Sequence, residues 1–261
     1  MKESLHVVKV GGHLVNDADA LQELLAAFAK IDAPKVLVHG GGRHATALAN
    51  QLGISPKMVD GRRITDADML EVAVMSYAGL SNKKIVAQLQ QLGVNALGLS
   101  GTDGNCIEAV KRPVKDIDYG FVGDITAVNT RVFTSLAAQD FVPVLCAITH
   151  DKKGQLLNTN ADTIAAQVAA ALSSQYKVRL FYCFEHAGVL KDISNPDDVI
   201  KTLTEDQTEK WINEGVIHQG MVPKIHNGFD ALKNGVQEVI ISNLNALTAT
   251  TAPKTTLTWN A

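Results

Sequence analysis

The chain has 261 residues, 46% of them hydrophobic and 20% charged, an ordinary composition for a soluble globular protein. Twenty-four Lys and Arg against twenty-seven Asp and Glu leave a net charge of -3, which supplies no electrostatic case for nucleic acid or an anionic membrane. No uncharged run is long enough to span a bilayer, the first residues read as a strand rather than a signal peptide, and Cys106, Cys146 and Cys183 form neither a CxxC pair nor a zinc spacing, so a reducing, cytoplasmic setting is expected.

Short apolar runs alternate with amphipathic segments. Residues 5–10 read as a strand that carries Lys9 just ahead of Gly11 and Gly12. Burying a lysine costs desolvation unless an anion meets it. Lys9 either sits at a solvated strand end or reaches a bound anion across the glycine turn. Asn16 is expected to cap a helix with Asp17 and Asp19 in its first turn and Leu21, Leu24, Leu25 and Phe28 on one face. Residues 35–38 form a second strand ending in His39-Gly40-Gly41-Gly42, and a helix follows over 43–52. Three glycines let backbone approach a ligand, and a helix start presents free N–H groups to an anion; the competing reading is a tight structural turn. A helix with a break near Gly79 spans 69–91, a strand spans 94–99, and 106–125 suits hairpins extending from the main sheet.

Residues 142–147 and 178–183 read as strands around a helix over 161–172, with Ile164, Val168 and Leu172 on one face. Thr204 and Gln207 make a capping box before a helix that runs to about Gly215. A helix over 222–233 takes Pro223 in its first turn, 239–242 is a strand, and the Thr-rich tail over 248–258 is a loop with a final edge strand. This alternation predicts an α/β fold with a mainly parallel sheet covered on both faces, ligands lying beyond the carboxyl ends of the strands.

Four stretches bear on chemistry. GGGRHA, residues 40–45, fits the dinucleotide pattern GxGxxA, but on the second strand–helix turn rather than the first; no Gly-Lys-Ser or Gly-Lys-Thr, HExxH or GxSxG occurs. GRRITDAD, residues 61–68, sets Arg62 and Arg63 before a capped helix; their planar forks suit a carboxylate or phosphate, or else a solvated strand. In LLNTNADTIAA, residues 156–166, Asn160 is a natural N-cap, while the functional reading gives Asn158 to substrate and Asp162 to holding lysines. Lys224 stands in the first turn of its helix, where the dipole disfavours a cation unless an anion binds there too.

The ordered set KVGG, HGGG, GRRITD, AGLSNK, SGTDGN, YGFVGDI, NTNADT and GMVPK covers nearly the whole chain and closely resembles the N-acetyl-L-glutamate kinases of the amino acid kinase family. The resemblance implies an open, mainly parallel central sheet of about eight strands between helical layers. It implies an N-terminal lobe, roughly residues 1–173, for the N-acyl-L-glutamate, and a C-terminal lobe, roughly 174–261, for ATP. The implied reaction moves the γ-phosphoryl of ATP to the substrate's γ-carboxylate, on the way to arginine or ornithine, with Mg²⁺ carried mainly on ATP oxygens. Lys9 and Lys224 would stabilise the transferring phosphoryl and Asp162 would orient both; a carboxylate acceptor has no proton to remove, so Asp162 is a poor general base. Gly12, Gly41 and Gly42 would offer backbone N–H groups to phosphate and substrate. Arg63 would bind the α-carboxylate and Asn158 the amide region, with Asn160 on the same loop. Gly11, Glu185, Gly188, Val189 and Leu190 would lie on the nucleotide side.

Three departures stand out. The family has Leu where this chain has Arg62, near the acyl group, so Arg62 either pairs with a second carboxylate, as in N-succinyl-L-glutamate, or points to solvent. Phe184-Glu185 replaces a hydroxyl residue and Asp, which bears on nucleotide affinity. Only residues 1–4 precede the first strand, where arginine-inhibited relatives carry an extra helix; a homodimer without arginine feedback is the expectation. The alternatives are a non-catalytic nucleotide- or amino-acid-binding regulator of the same fold, a kinase for another carboxylate or phosphate, and a nicotinamide enzyme resting on GxGxxA alone.

Overall fold

Alternation in the first strand sets the frame. β1 (Ser4–Val10) turns Leu5 and Val7 to one face and Val8 and Val10 to the other, and all four are buried, as a central strand of a two-sided sheet requires. The computed structural model describes residues 2–59, 62–217, 220–249 and 251–259; Gly61, Gln219 and Thr250, spanned by the motifs and tail named above, lie outside the described residues. After β1 come α1 (Gly12–Asn16), α2 (Ala18–Ala29), β2 (Lys35–His39), α3 (Gly42–Gln51), and the hairpin β3 (Lys57–Val59) with β4 (Arg62–Ile64). α4 (Ala67–Val74) runs through a π-helical segment, Met75–Ser81, into α5 (Asn82–Gln91). Next are β5 (Ala96–Leu99), β6 (Ile107–Lys111), β7 (Gly123–Val128), α6 (Thr130–Ala137), β8 (Val142–Cys146), β9 (Ile148–His150), β10 (Leu156–Asn158) and α7 (Ala161–Leu172). β11 (Lys177–Cys183), β12 (Thr202–Leu203), α8 (Glu205–Asn213), α9 (Val222–Lys233), β13 (Glu238–Ser242), α10 (Asn245–Thr248) and β14 (Thr255–Leu257) complete the order.

The central sheet has eight strands in the order β12-β14-β13-β11-β1-β2-β8-β5. Every pairing is parallel except β13 with β14. The expected open, mainly parallel α/β sheet is therefore present. Its two faces carry separate cores. Val7, Val38, Leu180 and Ile241 meet α3, α4, α7 and α9 through residues such as Ala45, Val72, Ile164 and Phe229. Val8, Leu37, Phe181 and Ile240 meet α2 and α5 through Leu24, Phe28, Ile85 and Leu89. The order departs from β1 in both directions, to β2 on one side and to β11 on the other, so β1 stands at the switch point where such sheets open a crevice.

Several boundaries differ from the sequence reading, each for a local reason. Asp17, not Asn16, caps α2: its Oδ1 accepts from Asp19 N at 3.1 Å and Ala20 N at 3.0 Å, while Asn16 ends α1 and turns back to Gly12 O. Gly79 does not break its helix, because the π-helical turns absorb the irregularity. The hairpin β6–β7 belongs to a second sheet, β10-β9-β6-β7, rather than to the main one. The tail strand β14 is not at the edge but sits between β13 and β12, tied in by buried Thr255, whose Oγ1 donates to Ile200 O at 2.6 Å and accepts from Val189 N at 2.8 Å. Among the described residues no helix is long and apolar enough to cross a membrane.

The capping box at α8 forms as read: Thr204 Oγ1 accepts from Gln207 N at 3.3 Å and Gln207 Oε1 from Thr204 N at 3.1 Å. Thr204→Ala is expected to lower stability by about 1 kcal/mol in urea unfolding. A change within about 0.3 kcal/mol of zero would mean that packing alone holds α8.

Candidate active site

Lys9 lies two residues beyond Val7, so the strand period turns it to the α7 face, one residue from the carboxyl end of β1. There it stands level with Val38 on β2 and Tyr182 on β11, and is only 6% exposed. Across from it α7 begins. Asn160 caps that helix, its Oδ1 accepting from Asp162 N at 2.8 Å and Thr163 N at 3.1 Å, which fixes Asp162 in the first turn. Tyr182 supports the same turn by donating its hydroxyl to Asp162 O at 3.1 Å.

Asp162 Oδ1 meets Lys9 Nζ at 2.7 Å and Oδ2 meets Lys224 Nζ at 3.3 Å. Lys224 comes from the first turn of α9, which also takes Pro223, and Lys224 Nζ donates to Gly220 O at 3.3 Å. Burial pushes the Asp162 carboxyl up, but Lys9 and then Lys224 outweigh it and hold the group below its ordinary 3.8. For Lys9, burial dominates and lowers the ammonium's pKa, with Lys224 adding to the effect and Asp162 opposing it. Two ammonium groups, one buried and one half-buried on the outer cleft, share one carboxylate, so the cluster carries one uncompensated positive charge that an anion in the cleft would neutralise.

Backbone supplies the rest of the cradle. Gly11 N donates to Cys183 O at 2.9 Å, and a Cβ at Gly11 would stand 3.3 Å from that oxygen, so β1 and β11 close tightly there. Gly12 opens α1 with nothing among the described residues within 4 Å of where its Cβ would be. α3 starts at Gly42 without a side-chain cap, leaving first-turn N–H groups for a ligand. A Cβ at Gly41 would lie 2.6 Å from the Tyr77 ring, so only glycine fits.

These groups line two adjoining spaces. The inner one, about 230 Å³, is bounded by Lys9, Gly40–Gly42, Arg63, Asn158 and Asp162. The outer cleft, about 830 Å³, shares Lys9, Gly12, Gly42 and Arg63 and adds Gly11, Glu185 and Lys224. Arg63 is buried on β4, donating from Nη2 to Gly42 O at 2.9 Å and to Thr46 Oγ1 at 2.8 Å. Asn158 donates to Thr65 Oγ1 at 3.0 Å. Asn160 reaches the inner cavity while its oxygen serves α7. Arg62 is exposed and also lines the inner cavity.

Lys9, Gly11, Gly12, Gly41, Gly42, Arg62, Arg63, Asn158, Asn160, Asp162, Glu185 and Lys224 are thus brought to one cleft. Gly188, Val189 and Leu190 are not. They pack into the core, where a Cβ at Gly188 would meet Thr255 Oγ1 and Val199 at 2.6 Å, and Val189 N donates to Thr255. Sequence reasoning missed Tyr77 and the Arg112–Asp124 pair. Arg112 Nη2 donates to Asp124 Oδ1 at 2.6 Å and Nε donates to Oδ1 and Oδ2 at 3.1 and 3.3 Å, while Arg112 Nη1 is buried beside the inner cavity with no hydrogen-bond partner among the described residues. The motif YGFVGDI contains Asp124, but the register of the hairpin that pairs it with Arg112 shifts at Glu108 and Ala109 and was not readable.

Residues 4–243 match the family model described as the amino acid kinase family. An acetylglutamate kinase of Phocaeicola vulgatus is 53% identical over 247 residues, 95% of this chain and 96% of that protein. An acetylglutamate kinase of Bacteroides thetaiotaomicron is likewise 53% identical, over the same shares of the two chains. Among solved structures, the smu.665 protein of Streptococcus mutans UA159 superposes with a TM-score of 0.82 at 26% identity, covering 98% of this chain and 99% of that one.

Asp162→Asn leaves the buried Lys9 ammonium and the half-buried Lys224 ammonium without their carboxylate and is expected to cost about 3–5 kcal/mol of stability at pH 7. The sign with pH follows from the lowered Asp162 pKa: its contribution is fully present above the unfolded 3.8 and is lost as pH falls through the folded value. Urea unfolding of both proteins checks this. The gap between them should narrow only below about pH 4, and a gap that stays constant into that range would contradict the assignment.

Proposed function

The chain belongs to the amino acid kinase family, and we propose that it transfers the γ-phosphoryl of ATP to the γ-carboxylate of an N-acyl-L-glutamate, giving an acyl phosphate for arginine biosynthesis. The observation that carries this reading is the Lys9–Asp162–Lys224 cluster, built on a buried Lys9–Asp162 pair and carrying an uncompensated charge, set at a sheet switch point between two glycine-rich helix starts. A substrate carboxylate oxygen attacks the γ-phosphorus, the bond from that phosphorus to the bridging oxygen breaks, and ADP departs with the electron pair. No proton moves, so no base is needed. The task is to position three groups and neutralise charge spreading over the phosphoryl oxygens.

Lys9 and Lys224 meet that charge from the two sides of Asp162, and the N–H groups at Gly12, Gly41 and Gly42 add dipoles. The acyl-glutamate takes the inner cavity, with Arg63 at its α-carboxylate and Asn158 at its amide; the polyphosphate takes the outer cleft past Gly11 and Glu185. In this reading the N-terminal lobe holds the amino acid, and the C-terminal lobe, through Glu185 and Lys224, closes the outer cleft on the nucleotide. The cationic and amide donors of the cleft fit a polyphosphate, and Mg²⁺, entering on its oxygens, would screen its charge. A non-catalytic regulator is disfavoured, because a binder has no use for two ammonium groups, one of them buried, clamped on one buried carboxylate. The reading includes a cytoplasmic homodimer, for which β5 offers an unpaired sheet edge and Leu80 and Leu92 exposed apolar surface near the ends of α5.

At the acyl end one observation favours a longer acyl group. Arg62 and Arg112 both line the inner cavity and the space of about 490 Å³ adjoining it, and Arg112 Nη1 is buried with no hydrogen-bond partner among the described residues. A terminal carboxylate, as on N-succinyl-L-glutamate, would supply one.

Purified protein with MgATP and N-acetyl- or N-succinyl-L-glutamate should yield hydroxamate when hydroxylamine traps the acyl phosphate. Lys9→Met should lower kcat by about 10²- to 10³-fold. No hydroxamate above the control without ATP, with either substrate, would end the proposal. Arg62→Leu should cut the succinyl-to-acetyl ratio of kcat/KM by about tenfold or more; an unchanged ratio leaves Arg62 to solvent.

A further inference from the structure

Behind the glycine turn lies a polar network that the proposed reaction does not use directly. His39 ends β2 with no exposed surface, and Asn82, 2% exposed, opens α5 across from it. Asn82 Oδ1 accepts from Lys83 Nζ at 3.2 Å, and Nδ2 donates to Val144 O at 2.9 Å. Flipping the amide would set oxygen against oxygen and nitrogen against ammonium, so the assignment is chemically determined. The same Nδ2 lies 3.1 Å from His39 Nε2. An amide nitrogen only donates, so Nε2 accepts and carries no proton. At the other side of the ring, His39 Nδ1 lies 2.7 Å from Gly40 O. A carbonyl only accepts, so Nδ1 carries the proton. Both ends of the ring require the same neutral tautomer.

Burial, which dominates, and Lys83 push the His39 pKa down to about 4 against the bond to Gly40, so the ring stays neutral through the physiological range. The fold makes room for this arrangement: a Cβ at Gly98 on β5 would collide with Asn82 Oδ1. The π-helical run just before Asn82 also sets Tyr77 under Gly41.

The consequence lies in one peptide unit. Gly40 O and Gly41 N–H belong to the same planar group, and in a trans peptide they point to opposite sides. With the oxygen drawn inward by His39, the N–H turns outward, where Gly40 and Gly41 line the inner cavity. No protein group among the described residues accepts from Gly41 N. We propose that His39, held in its Nδ1–H tautomer by Asn82, is a positioning residue that locks the Gly40–Gly41 peptide so that Gly41 N–H faces the transferring phosphoryl group. The proposal rests on the phosphoryl-transfer reading above. A free peptide would reorient with the ligand, whereas a locked one is already aimed when charge develops.

The test separates aim from binding. His39→Leu should lower kcat about 10- to 100-fold, with the KM values for ATP and acyl-glutamate moving less than about threefold. His39→Asn, whose amide can place an N–H near the Nδ1 position, should recover most of that loss, and Asn82→Leu should lose activity in the same kcat-weighted way. Nitrogen-15 NMR of the wild-type imidazole should show Nδ1 protonated and Nε2 bare. Unchanged kcat in a folded His39→Leu protein, equal losses in the Leu and Asn variants, or a wild-type ring protonated on Nε2 would each overturn the proposal. Should His39→Leu fail to fold, the NMR tautomer and the Asn82 variant still decide. A wild type that makes no acyl phosphate would instead sink the reaction, while the tautomer measurement still stands or falls by itself.

Discussion

One carboxylate shared by two ammonium groups organises this molecule. Lys9, Asp162 and Lys224 come from the first strand, a helix in the middle of the chain and a helix near its end. Neither Lys9 nor Asp162 is stable as an ion alone where it lies. Lys9 is drawn below its usual basicity by burial, and Asp162 stays ionised only because two cations flank it. A fold that selected for stability would place a valine at position 9, continuing the strand. The lysine makes physical sense when the site regularly holds an anion, because the anion then supplies the charge that the carboxylate cannot.

The sheet explains why these groups meet. β1 is central, with parallel partners on both sides, and its carboxyl end opens where the strand order departs in two directions. α1 follows β1 and α3 follows β2, so both begin at that end with their N–H groups toward the crevice. Glycine at positions 11, 12, 41 and 42 keeps side chains out of the way, but freedom of that kind also permits the wrong backbone orientation. Tyr77 against Gly41 and His39 against Gly40 O remove that freedom from the outside. The glycines make the approach sterically open, and their buried neighbours make it specific.

Much of this is legible in the sequence. The two-sided burial of β1 and the position of Lys9 follow from LHVVKV, the α8 capping box from Thr204 and Gln207, and the N-cap of α7 from Asn160. What was not legible depends on register or on distant partners. Asn16 and Asp17 are both good caps, and only the turn of α1 decides between them. The π-helical run looks like a break at Gly79, because one extra residue per turn mimics an interruption of the 3.6 pattern. Arg112 meets Asp124 through a bulged hairpin. Gly188 reads as a nucleotide-side glycine, yet its missing side chain makes room for Thr255 from the tail.

The site and the fold are therefore not separable parts. Lys9 reaches its partner only when β1 sits inside a completed sheet, and Lys224 only when α9 has packed against α7. Until then the chain holds two hydrated ammonium groups and a hydrated carboxylate with no reason to leave water. Apolar packing on the two faces of the sheet, Val7 and Leu180 on one and Leu24 and Phe28 on the other, is what forces them together. Hydrophobic burial is non-directional and tolerates many side chains, whereas the charge cluster and the His39 network do not. The core thus supplies the stability, and the polar groups it encloses spend part of it on a single arrangement of charge and backbone dipoles aimed at an anion.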